Sequence, residues 1–112
     1  MDAEIKRKWV EALRSGKYAQ TKSDLRNHNG YCCLGVLCDL VQPEEWSEPE
    51  QNFSFMHRFA SSFPDADVLD IVGMHQDDGV RTDGQHPFWT LASMNDEGKS
   101  FAEIADYIEQ NL

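Results

Sequence analysis

Apolar residues recur at Ile5, Trp9, Ala12 and Leu13, a spacing that puts them on one face of a helix. Lys6, Arg7, Lys8, Glu11 and Arg14 take the other positions. The pattern predicts an amphipathic helix capped by Asp2, running to about Ser15 and ended by Gly16, with Trp9 as a core anchor. Tyr18 to Arg26 alternates loosely and leads into Asn27-His28-Asn29-Gly30, whose Asn-Gly pair signals a turn, so a short strand or hairpin is expected there. Tyr31 to Val41 is the most apolar run and reads as a helix closed by Gln42-Pro43. An acidic loop with two prolines follows over 43–52, and Phe53, Phe55 and Phe59 supply apolar anchors after it. Pro64-Asp65 opens a helix to about Val72, ended by Gly73. Residues 75–87 are turn-rich, a surface loop or a weak hairpin around Val80-Arg81-Thr82. Thr90 starts a helix to about Glu97, ended by Gly98. Ser100-Phe101-Ala102-Glu103 matches a capping box for a last helix over 101–110, with Phe101, Ile104, Ala105 and Ile108 facing inward. The expected class is α+β: a compact, mainly helical single domain over 1–112 with one small β-hairpin.

All three cysteines, Cys32, Cys33 and Cys38, lie in the apolar run, which raises the question of a metal or redox site. A structural zinc module needs about four nitrogen or sulfur ligands, and His28, His57, His75 or His86 would have to complete the set. Adjacent cysteines on a helix point about 100° apart, and no C-x2-C knuckle occurs. A reactive thiol needs a basic, partly exposed setting, whereas Asp39 is the only charge in this run. Cysteine as a small hydrophobe is the simpler account: Cys33, Leu37, Leu40 and Val41 form one stripe, Leu34, Cys38 and Val41 another. A helix apolar nearly all round is a buried one, on which Gly35 lets a neighbour approach closely. No metal is expected.

Charge alters the functional picture. The chain of 112 residues carries a formal net charge of −10. Residues 1–26 hold seven basic residues against four acids, and residues 27–112 hold sixteen acids against three bases. A phosphate backbone repels such a protein at long range, so direct nucleic-acid binding is not expected. No window approaches the roughly 20 apolar residues of a membrane span, and the N-terminal residues lack an apolar signal core, so a cytoplasmic protein is expected.

Two binding surfaces remain. The basic segment brings Arg14, Lys17, Tyr18, Gln20, Lys22 and Arg26 together in sequence, a set suited to a small anion or nucleotide. It lacks the spacing of a Walker loop, and Arg14 and Lys17 also suit the C-terminal end of a helix dipole. The acidic body offers Glu44, Glu45, Glu48, Asp77 and Asp78 to a basic partner. Asp77-Asp78-Gly79 lacks the ligand ladder of a calcium loop. No nucleophile–base pair or cofactor loop stands out, so no enzyme activity, catalytic residue or cofactor is expected.

Three stretches carry a resemblance. Trp9-Val10-Glu11-Ala12-Leu13-Arg14-Ser15-Gly16-Lys17-Tyr18-Ala19-Gln20 is similar to the opening of small uncharacterised proteins encoded by bacteriophages and prophages. Tyr31-Cys32-Cys33-Leu34-Gly35-Val36-Leu37-Cys38-Asp39-Leu40 resembles their central motif, and Met94-Asn95-Asp96-Glu97-Gly98-Lys99-Ser100-Phe101-Ala102-Glu103-Ile104-Ala105 their closing one. The resemblance implies a phage accessory protein in the bacterial host cytosol and carries no functional residues with it. In that setting the expectation is a non-enzymatic protein that binds and inhibits a host protein, such as a nucleic-acid-binding defence factor, through its acidic surface. The alternatives are sequestration of a small anionic or nucleotide ligand by the basic segment, and the structural zinc module.

Overall fold

The computed structural model describes residues 1–47, 55–57, 63–74 and 87–112. Helix α1 spans Ala3–Arg14, with the Asp2 carboxylate accepting from the Ile5 N–H at 2.9 Å and Gly16 at φ +77° just beyond its end. Helix α2 spans Cys33–Val41 and α3 spans Ala66–Ile71, whose first turn is capped by Asp65. Helix α4 spans Pro87–Asp96, three residues earlier than Thr90, because Pro87 has the fixed φ that suits a first helical position. Helix α5 spans Phe101–Asn111, where Ser100 Oγ accepts from the Glu103 N–H and its hydroxyl donates to the Glu103 carboxylate.

Helix α2 starts two residues later than the apolar run. Tyr31 pairs in a strand, and Cys32 is extended and caps the helix, its sulfur accepting from the Gly35 N–H at 3.4 Å. The hairpin joins β1, Arg26–Asn27, to β2, Gly30–Tyr31, in the register Arg26 to Tyr31 and Asn27 to Gly30. His28 and Asn29 make the reversal, held by the Asn29 N–H donating to Asn27 Oδ1 at 2.8 Å. Residues 18–25 are not a continuous strand: only Gln20 among them bridges, parallel, to Tyr31. A second antiparallel pair joins β3, Trp46–Ser47, to β4, Met56–His57, where one hairpin was expected. Phe55 bridges to Arg26 and so brings the two pairs edge to edge. Phe53, Phe59 and the turn around Val80-Arg81-Thr82 lie outside the described residues.

Helix α2 is the centre of the molecule. Cys33 through Cys38 are all buried, and α1, α3, α4 and β2 pack around the helix. Gly35 is where the chain before the hairpin crosses α2, and a Cβ there would lie 1.7 Å from the Leu25 carbonyl oxygen. Trp9 is fully buried, meets Phe88 edge-on at 5.5 Å, and donates its indole N–H to the Cys33 carbonyl at 2.9 Å. Helix α5 lies along α1 and contributes Phe101, Ile104, Ala105 and Ile108 to the same core. Each large side chain so buried contributes about 1.5–3 kcal/mol.

Candidate functional site

The basic segment is dispersed by the fold. Arg14, at the end of α1, forks onto Asp106 and Glu109 of α5. Those hydrogen bonds raise the Arg14 pKa above its ordinary value and lower that of Glu109. Gln20 donates its amide to Asn95 Oδ1 at 2.9 Å and to the Lys99 carbonyl at 2.7 Å. Tyr18 donates its hydroxyl to Asp39 at 2.7 Å, and desolvation, aided by that bond, raises its pKa. Lys17 and Lys22 are exposed, Lys22 lying near Gly98. The six candidate residues therefore do not converge on one ligand.

The same dispersal applies to a groove of about 650 Å³ between α1 and α5. Its cations already have partners: Lys6 donates to the Glu109 carbonyl, Arg7 bridges Glu4 and Glu11, and Arg14 holds its two carboxylates.

Arg26 differs from the others. Its guanidinium carbon stands 4.0 Å from the Phe55 ring centre, 5.1 Å from Tyr31 and 5.4 Å from Trp46. The rings form a continuous edge-to-face set, with Tyr18 on Tyr31 at 4.9 Å, Tyr31 on Trp46 at 6.0 Å and Trp46 on His57 at 4.8 Å. Asp39 holds this set to α2, because its carboxylate accepts from both Tyr18 and, at 3.0 Å, the Trp46 indole N–H. The single charge in the apolar run is thus a clamp for two aromatic side chains. His57 closes the far side, fully buried, with Nε2 at 2.9 Å from the Gln42 carbonyl. Because a carbonyl only accepts, Nε2 carries the proton of that bond, and among the described residues His57 Nδ1 and Gln42 Oε1 are buried without a hydrogen-bond partner.

Against the hairpin lies a cavity of about 330 Å³, with Arg26, His28, Tyr31 and Phe55 in its wall. No sequence signal marked it, since Phe55 joins Arg26 only through a bridge between segments far apart in the chain.

The cysteines are core residues. Cys32, Cys33 and Cys38 are free and buried, and the Cys33 thiol donates to the Leu91 carbonyl at 3.6 Å. Burial pushes the Cys32 pKa up to about 11 and those of Cys33 and Cys38 well above the ordinary thiol value. Among the described residues no group of three or more His, Cys, Asp or Glu side chains is placed to hold one metal ion, and no helix is long and apolar enough to cross a membrane. Of the acidic candidates, Glu44 is exposed and Glu45 half-buried in the one-turn helix Pro43–Glu45, while Glu48, Asp77 and Asp78 lie outside the described residues.

Asn95 carries no sequence signal and proves central. It is fully buried, accepts at Oδ1 from Gln20 and from the Cys33 N–H at 3.2 Å, and donates from Nδ2 to the Thr21 carbonyl at 2.7 Å.

A family model described as a domain of unknown function, DUF8296, matches residues 1–112. No curated protein and no solved structure matches the chain.

Proposed function

We propose that this chain, which belongs to the DUF8296 domain family, is a non-enzymatic binding protein whose acidic surface docks on the basic surface of another protein. The observation that carries this reading is where the positive charge goes. Arg7, Arg14 and Lys99 pair with carboxylates, Lys6 meets a helix-end carbonyl, and Arg26 sits among aromatic rings. These pairs lie at the surface and neutralise acids and bases one for one, so the exterior keeps the carboxylate excess of a chain of net charge −10, with Glu44 and Glu97 among its exposed groups. Such a surface speeds encounter with a basic partner and fixes its orientation. The resemblance to phage proteins supplies the setting: a host protein in the bacterial cytosol, a nucleic-acid-binding defence factor being the class whose basic groove an acidic domain would fill.

The test is a pull-down from bacterial lysate at low and high salt, followed by titration of the purified partner. The expected result is binding that weakens steeply with salt and falls at least tenfold in a Glu44→Lys, Glu45→Lys double variant. Binding insensitive to both salt and charge reversal would remove the acidic surface from the account.

A further inference from the structure

We propose that the hairpin cavity binds a small anion with a flat apolar part, a phosphate or carboxylate borne by a planar ring, through the guanidinium of Arg26. The inference stands apart from acidic docking, which concerns a different surface chemistry.

Four observations converge on it. First, Arg26 is half-buried and its guanidinium has no hydrogen bond or ion pair among the described residues, whereas Arg7 and Arg14 are both matched by carboxylates. The Arg26 nitrogens keep contact with solvent, where an oxyanion can meet them with charge-assisted hydrogen bonds. Second, a guanidinium centred over a ring keeps its N–H groups in its own plane, where they suit the two oxygens of a carboxylate or phosphate. Third, the cavity wall combines Arg26, Asn27, His28 and Asn29 with the rings of Tyr31 and Phe55, so polar donors and stacking surfaces face one space. Among the described residues that wall holds no carboxylate, while the larger groove beside α1 includes Glu11 and Glu109. Asp24 accepts from the Asn27 amide at 3.1 Å. Fourth, a volume of about 330 Å³ falls at the lower end of the range of small-ligand sites, roughly 300–1,000 Å³.

The site draws on one of the six basic-segment candidates for charge and adds residues from the turn and from Phe55. It requires neither Arg14, Lys17 nor Lys22.

Calorimetric titration with inorganic phosphate, adenosine monophosphate, benzoate and uncharged adenosine tests it. The expected result is binding of adenosine monophosphate or benzoate at least tenfold tighter than phosphate alone and than adenosine; which of the two binds identifies the anionic group. Arg26→Gln should lower that affinity at least tenfold, and Lys22→Gln should leave it unchanged. His28→Ala, at an exposed turn position, should weaken it several-fold in a fully folded protein, which keeps the test decisive if Arg26→Gln unfolds. No binding of either charged ring compound, equal binding of adenosine, or binding unaffected by both Arg26→Gln and His28→Ala would overturn the proposal.

Discussion

A methyl group at Gly35 has no room, because its carbon would lie 1.7 Å from the Leu25 carbonyl oxygen, a backbone atom held by its own hydrogen bond from the Cys32 N–H at 3.1 Å. Neither chain can rotate away as a side chain would. Gly35→Ala should therefore cost about 3 kcal/mol, the upper end for an overpacked core, measured by urea denaturation. Asn95 carries a comparable weight by different means. Asn95→Ala strands the Cys33 N–H and the Thr21 carbonyl in the core, and buried groups left unsatisfied cost about 1–3 kcal/mol each. A loss of about 3 kcal/mol is expected, against less than about 0.5 kcal/mol for Asn111→Ala, whose amide bonds the Tyr107 carbonyl at the surface. Gly35 was legible because a glycine inside an apolar helix needs a reason. Asn95 was not: its position in a polar stretch near the end of α4 looks like surface, and only the meeting of Gln20, Thr21 and the start of α2 at its amide shows it to be buried.

At the scale of the element, α2 behaves as an apolar rod that also orients its surroundings. Its three thiols are held protonated by burial, and the Cys32 pKa stands at about 11 against an ordinary 9.0. A folded pKa raised in this way means that thiol burial stabilises fully below pH 9 and that this contribution is lost as pH rises toward 11. The melting temperature should fall across that window, more gently in Cys32→Ala. The same burial predicts that iodoacetamide labels none of the three cysteines at pH 8 in the native state and all three in urea. Unchanged labelling on adding urea would contradict the packing described for α2. The central position of this helix followed from its all-round apolar character. Its true start did not, because Tyr31 is held by bonds with Ala19 and Thr21, and Cys32 donates its N–H to the Leu25 carbonyl and so stays extended.

For the molecule as a whole, electrostatics is decided by net charge more than by individual pairs. The Cα radius of gyration is 13.0 Å, as expected for a compact chain of this length, so most charge pairs lie within one Debye length, roughly 30 Å, at 0.01 M salt. At 0.15 M that length falls to about 8 Å and the self-repulsion of a −10 protein is largely screened. Exposed pairs such as Arg14 with Glu109 weaken over the same range, but each is small. The melting temperature should therefore rise by several degrees from 0.01 to 0.15 M sodium chloride, in a differential scanning measurement. A fall would mean that the α1–α5 pairs outweigh the global repulsion.

Local chemistry is written residue by residue, and the chain alone determined what depends on it. Asp2, Asp65 and Ser100 cap helices, and Gly16, Gly73 and Gly98 follow their ends with positive φ. Periodicity likewise selected the buried faces of α1 and α5. Tertiary structure decided everything that requires two distant segments to meet. It moved Arg14 from a candidate ligand site to a surface ion pair between α1 and α5, set Asp39 between Tyr18 and Trp46, buried Asn95, and enclosed Arg26 with Phe55 beside an open cavity. The physical reason is that capping and amphipathicity act within a turn or two of chain, whereas the fate of a charge depends on which groups the rest of the fold brings within a few ångströms of it.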